Sequence, residues 1–156
     1  MGSSSSSGIT LPVSKGDLLD SEYRALADFR LQIRRFLQFS EQAAEAEGLE
    51  PQQHQFLLAV RAFDGSGGPA VGDLARILLI KHHSAVGLTD RLVERGLVER
   101  ARNAPDRREV HIRLTPEGQK KLMRLSAGHR DELLNSGPLL VASLSGLLER
   151  LRQNRI

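Results

Sequence analysis

The chain contains no cysteine. That excludes a disulfide framework, a thiolate nucleophile and a cysteine-based redox switch. No apolar run approaches the roughly 18 residues needed to cross a bilayer, and the N-terminus shows no secretory pattern. A cytoplasmic protein without membrane contact is therefore expected. Gly-x-Ser-x-Gly elbows, phosphate-binding glycine loops and dinucleotide fingerprints are also missing. The carboxylates fall mainly into helical charge patterns, so no enzymatic activity is expected. There is no internal repeat. Five histidines are present, but they do not make a metal site. His82 and His83 are adjacent and project to different sides of a helix, and His54, His111 and His129 lack neighbours at ligand spacing. No metal or other cofactor is expected.

What is present is one ordinary domain. The 156 residues are 40% hydrophobic and 26% charged, which is the globular range. Residues 1–16, opening on a serine run, read as a disordered tail. Residues 17–156 read as a single, mainly α-helical domain. Asp17 to about Glu47 carries Leu26, Phe29, Ile33, Phe36 and Leu37 as an apolar stripe, and Gly48 stops that helix. Pro51 opens a second helix, with Phe56, Leu57 and Val60 as its buried face. Gly65 to Pro69 is a loop.

Residues 71–115 organise the rest. Val71, Leu74, Ala75 and Leu78 recur at helical spacing. Ala85, Leu88 and Leu92 do the same in a second, longer helix, which Gly96 closes. The period then changes to two. Val98 to Arg102 and Val110 to Leu114 read as strands, joined by Asn103-Ala104-Pro105-Asp106-Arg107-Arg108. Thr115, Pro116 and Glu117 cap and start another helix. Helix, turn, helix and a two-stranded wing make a winged helix-turn-helix, a DNA-reading module.

The net charge is +3, and its placement matters more than its size. Arg100, Arg102, Arg107, Arg108 and Arg113 lie on the wing and its strands, a phosphate-contacting footprint. In the second helix of the module, burial of Ala85, Leu88 and Leu92 turns His82, His83, Ser84, Gly87 and Arg91 outward, toward base edges and phosphates, with Lys81 just before them. After the wing, Pro116 to about Asn135 is expected to form one helix, broken at Gly137-Pro138. A last helix from Leu139 to Arg155 carries Leu140, Leu144, Leu147, Leu148 and Leu151. Its leucines exceed what a small domain can cover, so it is expected to pair with the first helix and with a second subunit.

These segments resemble the MarR-type transcriptional regulators. The matching motifs are Asp73-Leu74-Ala75-Arg76, the run from Ser84 to Leu97, the wing Asp106-Arg107-Arg108, and Leu114-Thr115-Pro116-Glu117-Gly118. Leu49-Glu50-Pro51-Gln52-Gln53 also fits, and the resemblance extends over about residues 22–155. It implies a DNA-reading part over 51–115 and dimerisation helices over 17–48 and 116–156. It further implies a homodimer on a pseudo-palindromic double-stranded operator, with repression relieved by a small aromatic or phenolic effector. The wing would enter the minor groove, with Asp106 and Arg108 bracing the hairpin and Arg107 at its tip. Phe29, Arg30, Ile33, Phe36, His54 and Phe56 are the mapped effector-site candidates. Two positions depart from the family pattern. Lys81 stands where a small capping residue is usual, and Leu79 stands where glycine is common. The competing reading is a winged-helix protein-interaction module without specific DNA binding, which a bare apolar patch on the reading helix would favour.

Overall fold

The computed structural model describes residues 18–65, 67–102 and 109–154. Its elements are α1 (Asp20–Ala46), α2 (Pro51–Ala62), α3 (Val71–Ile77), α4 (His82–Glu94), β1 (Val98–Arg102), β2 (Val110–Leu114) and α5 (Pro116–Gln153). The order is that of a mainly helical winged helix. The strands pair antiparallel, Val98 opposite Leu114 and Arg102 opposite Val110.

The element boundaries follow from side chains near them. The buried Glu22 carboxylate accepts the Leu19 N–H at 2.6 Å and fixes the start of α1. Gln53 Oε1 accepts the Glu50 N–H at 3.1 Å at the start of α2, a reciprocal cap behind Pro51. Thr115 Oγ1 accepts the Gly118 N–H at 3.1 Å at the start of α5, and donates to the Gly96 carbonyl at 2.6 Å. Gly48 and Gly96 have φ of +70° and +68°, the left-handed closure expected after α1 and α4.

Helices α1 and α5 run antiparallel. Asn154 Nδ2 donates to Glu22 at 2.8 Å at one end. At the other, Arg124 donates twice to Glu47, at 2.8 Å and 2.9 Å to Oε2, and Lys121 Nζ donates to the Glu47 carbonyl at 2.7 Å. The core lies beside this pair. Phe56, Leu57, Leu74, Leu88, Leu92, Leu97, Ile112, Leu122 and Leu125 gather α2, α3, α4, the wing and the first turns of α5 into one cluster.

One sequence expectation is corrected. Gly137-Pro138 does not break the last segment, because α5 is one helix of 38 residues with Pro138 inside it. Proline removes one helical N–H and crowds the preceding residue. Here that residue is glycine, which has no Cβ to crowd. The price is one lost bond in a helix that α1 supports along its length.

Gly118 explains why a glycine closes the Leu-Thr-Pro-Glu-Gly motif. A Cβ there would lie 2.0 Å from the Leu97 carbonyl oxygen. Gly118→Ala should therefore cost about 2–3 kcal/mol in urea unfolding, as overpacking against backbone does. Gly72→Ala should instead stabilise by about 0.5–1 kcal/mol, because nothing lies within 4 Å of its added Cβ. Equal effects from the two substitutions would contradict the close approach of α5 to Leu97.

Candidate nucleic-acid interface and the cavity behind it

Ala85, Leu88, Thr89 and Leu92 are buried on α4, and the Thr89 hydroxyl donates to the Ala85 carbonyl at 2.7 Å. Their burial fixes the rotation of the helix. Lys81, His82, His83, Ser84 and Arg91 are then all exposed. Gly87 is half-buried, and the Arg91 guanidinium lies over it, 3.6 Å from where a Cβ would be. The exposed face carries cations, imidazoles and a hydroxyl. No large apolar side chain interrupts those five positions. Lys81 occupies the N-cap and makes no side-chain cap bond. The wing tip from Asn103 to Arg108 lies outside the described residues, and with it the Asp106–Arg108 brace and Arg107.

The turn before α4 is tight. Leu79 has φ +55° and is 91% exposed. The family's glycine position is thus kept in the left-handed conformation by a leucine. The Ile80 N–H donates to the Ala75 carbonyl at 3.0 Å and the Leu79 N–H to Arg76 at 3.3 Å.

Several side chains hold the reading helix and the wing in place. Arg95, just past α4, donates to Gln53 Oε1 at 2.7 Å and to the Gly48 carbonyl at 2.6 Å. Arg100 of β1 pairs with Asp90 of α4. Arg113 Nε donates to the Gly67 carbonyl at 3.1 Å, and His111 Nδ1 donates to the Gly68 carbonyl at 2.6 Å. Two of the wing arginines expected to face phosphate, Arg100 and Arg113, therefore also tie the wing to α4 and to the α2–α3 loop. Sequence reasoning missed Arg95, whose partners lie 42 and 47 residues away. At the far end of the same turn, the hydrogen bonds from Arg124 hold the Glu47 carboxyl below its ordinary range.

Behind the interface lies a cavity of roughly 520 Å³ between α1, α2 and α5. Phe36 and Ser40 line it from α1, His54 and Leu58 from α2, and His129 and Arg130 from α5. Of the six mapped effector candidates, Phe36 and His54 line this cavity. Phe56 is fully buried in the core, and Phe29, Arg30 and Ile33 do not line it. His129 is the residue that sequence reasoning overlooked here. Its ring centroid lies 4.8 Å from that of His54, and Phe36 and Phe39 meet it edge-on. The signal was its place at i+4 from Leu125 and i+7 from Leu122, on the buried stripe of α5.

His129 Nδ1 lies 2.7 Å from the Leu125 carbonyl and Nε2 lies 2.8 Å from Ser40 Oγ. The carbonyl can only accept, so Nδ1 carries a proton, and in the neutral ring Nε2 then accepts from the serine. His54 is 3% exposed, and its Nδ1 has no hydrogen-bond partner among the described residues. Burial, and then the neighbouring His129, push its pKa below the ordinary histidine value.

Comparison with known proteins agrees with this geometry. Residues 47–109 match the model of the MarR family. The transcriptional repressor MdtR of Bacillus subtilis is 25% identical over 116 residues, 72% of this chain and 73% of MdtR. The transcriptional activatory protein BadR of Rhodopseudomonas palustris is 36% identical over 77 residues, 49% of this chain and 44% of BadR. Among solved structures, Staphylococcus aureus MepR superposes with a TM-score of 0.67 at 21% identity, over 83% of this chain and 98% of MepR. A MepR–DNA complex superposes with a TM-score of 0.59 at 24% identity, over 79% of this chain and 97% of that one. These structures share the fold. No described helix is long and apolar enough to cross a membrane.

The buried His54 gives stability a pH dependence. Its folded pKa lies below the unfolded value of about 6.5. Between the two, only the unfolded chain takes up the proton. The contribution of His54 is therefore fully present above about pH 6.5 and is lost as pH falls through the folded value. Urea unfolding at stepped pH should show this acid limb in the wild type and a flatter one in His54→Leu. An unchanged limb would show that other groups set it.

Proposed function

We propose that this chain, whose residues 47–109 match the MarR family of transcription regulators, is a homodimeric, sequence-specific repressor that binds a pseudo-palindromic double-stranded operator and is relieved by a small aromatic or phenolic effector. The observation that carries the reading is the outward face of α4. Lys81, His82, His83, Ser84 and Arg91 offer hydrogen bonds and positive charge there, the chemistry of base edges and phosphates. A protein-docking helix would present apolar anchors instead. The resemblance adds Arg107 and Arg108 of the wing as contacts to phosphates or a narrow minor groove, with Asp106 and Arg108 as the brace of the hairpin. The protein acts in the cytoplasm, as a regulator and not as an enzyme.

Dimerisation is supported by α5. Val141 and Leu148 are seven residues apart with Leu144 between them, on one stripe, and all three are exposed. The stripe is covered by the same elements of a second copy. Two-fold symmetry then sets the reading helices about one turn of DNA apart, roughly 34 Å. Effector binding is supported by the cavity at Phe36 and His54.

Gel-shift titration against an operator selected from a random pool tests the DNA reading. With roughly 6–10 phosphate contacts per dimer, affinity should fall about a thousandfold or more between about 50 and about 200 mM salt. Arg107→Ala should weaken binding to all duplexes. His83→Ala or Arg91→Ala should relax sequence preference, at about 1–3 kcal/mol per lost base contact. Salt-insensitive binding, or three silent variants, would refute the assignment.

Sedimentation tests the dimer. The double variant Val141→Glu, Leu148→Glu should sediment as a folded monomer and lose cooperative operator binding. A wild-type monomer would remove the palindromic half of the proposal.

A further inference from the structure

The cavity between α1, α2 and α5 is unbalanced in charge. The titratable or charged groups lining it are His54 from α2 and His129 and Arg130 from α5. From α1 come Phe36 and Ser40, neither of which ionises, and among the described residues no carboxylate lines it. Arg130 is exposed at the mouth, where Asp131 already pairs with it at 3.3 Å. The inner wall therefore holds two imidazoles 4.8 Å apart and nothing acidic.

The two rings are not equivalent. His129 is satisfied as a neutral ring, donating to the Leu125 carbonyl and accepting from Ser40. If it gains a proton, Nε2–H can donate to the same hydroxyl, which rotates to accept. His54 has an unused Nδ1 in a nearly inaccessible position. A buried polar atom without a partner is costly, and a ligand group that pairs with it removes that cost. A proton added alone would put an uncompensated charge in an apolar pocket, which burial opposes. An anion added alone would meet the same opposition. Together they enter as a neutral sum.

We propose that this cavity takes up a small organic anion together with one proton, which settles on the His54–His129 pair and faces the anion's carboxylate or phenolate. The proton comes from solvent, no bond in the ligand breaks, and the complex carries the charge of the free protein. The proposal rests on the reading of this cavity as the effector site, and adds that occupancy depends on pH through the histidine pair. An uncharged ligand of the same shape gains nothing from the proton.

Calorimetric titration of the full-length wild type with benzoate and with benzamide tests this, in buffers of different ionisation enthalpy. For benzoate, the heat should depend on the buffer and report close to one proton taken up. Its Kd should weaken by about tenfold per pH unit as pH rises from about 7 to about 8.5, the dependence of a site that takes up one proton with its ligand. Benzamide should show neither effect. His54→Leu should abolish the proton uptake, and His129→Gln, which keeps a hydrogen-bonding side chain, should reduce it if the first variant does not fold. Benzoate binding with buffer-independent heat and pH-independent Kd would overturn the coupling while leaving the effector site standing. Absence of binding by both probes would overturn the effector reading, and the coupling with it.

Discussion

The rotation of α4 about its own axis is the constraint on which the interface depends. Leu88 and Leu92 are fully buried, and each contributes about 2 kcal/mol on leaving water. Turning the helix by about 100°, one residue's worth, would carry Arg91 inward and lift both leucines out. That is a loss several times thermal energy, before the cost of burying a guanidinium. The exposed row of Lys81, His82, His83, Ser84 and Arg91 is thus set by what lies on the opposite face. The Arg95 bonds to Gln53 and Gly48 then fix the far end of the helix, and the Arg100–Asp90 pair ties the wing to it.

The features legible in the sequence were those written at short range. Helical and strand periods marked α2, α3, α4, β1 and β2 to within a residue or two, because each reports a buried face within a few residues of itself. The cap at Thr115 and the closure at Gly96 were equally local. Pro138 misled because a local rule, that proline ends helices, was outweighed by the glycine before it and by α1 alongside. The histidine pair was invisible for the opposite reason. His54 and His129 are 75 positions apart in the sequence, and only the antiparallel packing of α1 against α5, with α2 between their ends, brings them together. Mapping effector candidates by resemblance named Phe36, which lines the cavity, but not the α5 side chains across from it.

The start of α4 is built at a local cost. A leucine held at φ +55° costs about 1–2 kcal/mol relative to ordinary backbone. The uncapped N-terminus costs about 1 kcal/mol more. Both costs fall within three residues, and domain stability is typically only about 5–15 kcal/mol. Neither is repaid by packing, since Leu79 touches almost nothing. An empty N-cap does leave the first N–H groups of the helix unclaimed by any side chain, beside the lysine's own charge. Helix N-termini of that kind bind phosphate. The lysine that leaves this helix uncapped thus adds positive charge to the surface proposed to meet DNA.

Helix α2 joins this surface to the cavity. Gln53 accepts from Arg95, which anchors the end of α4, and the next residue, His54, lines the cavity against α5. The two side chains leave one helical turn in different directions, and both are buried. Interiors packed to this density do not deform continuously. Any shift of α2 large enough to seat a ligand against His54 must then move Gln53 as well, and the Arg95 bond at 2.7 Å has little length to spare. Rotation of α2 would either drag the end of α4 with it or break that bond. In the proposed dimer, dragging the end of α4 changes the spacing of its two copies, to which a two-fold operator is sensitive.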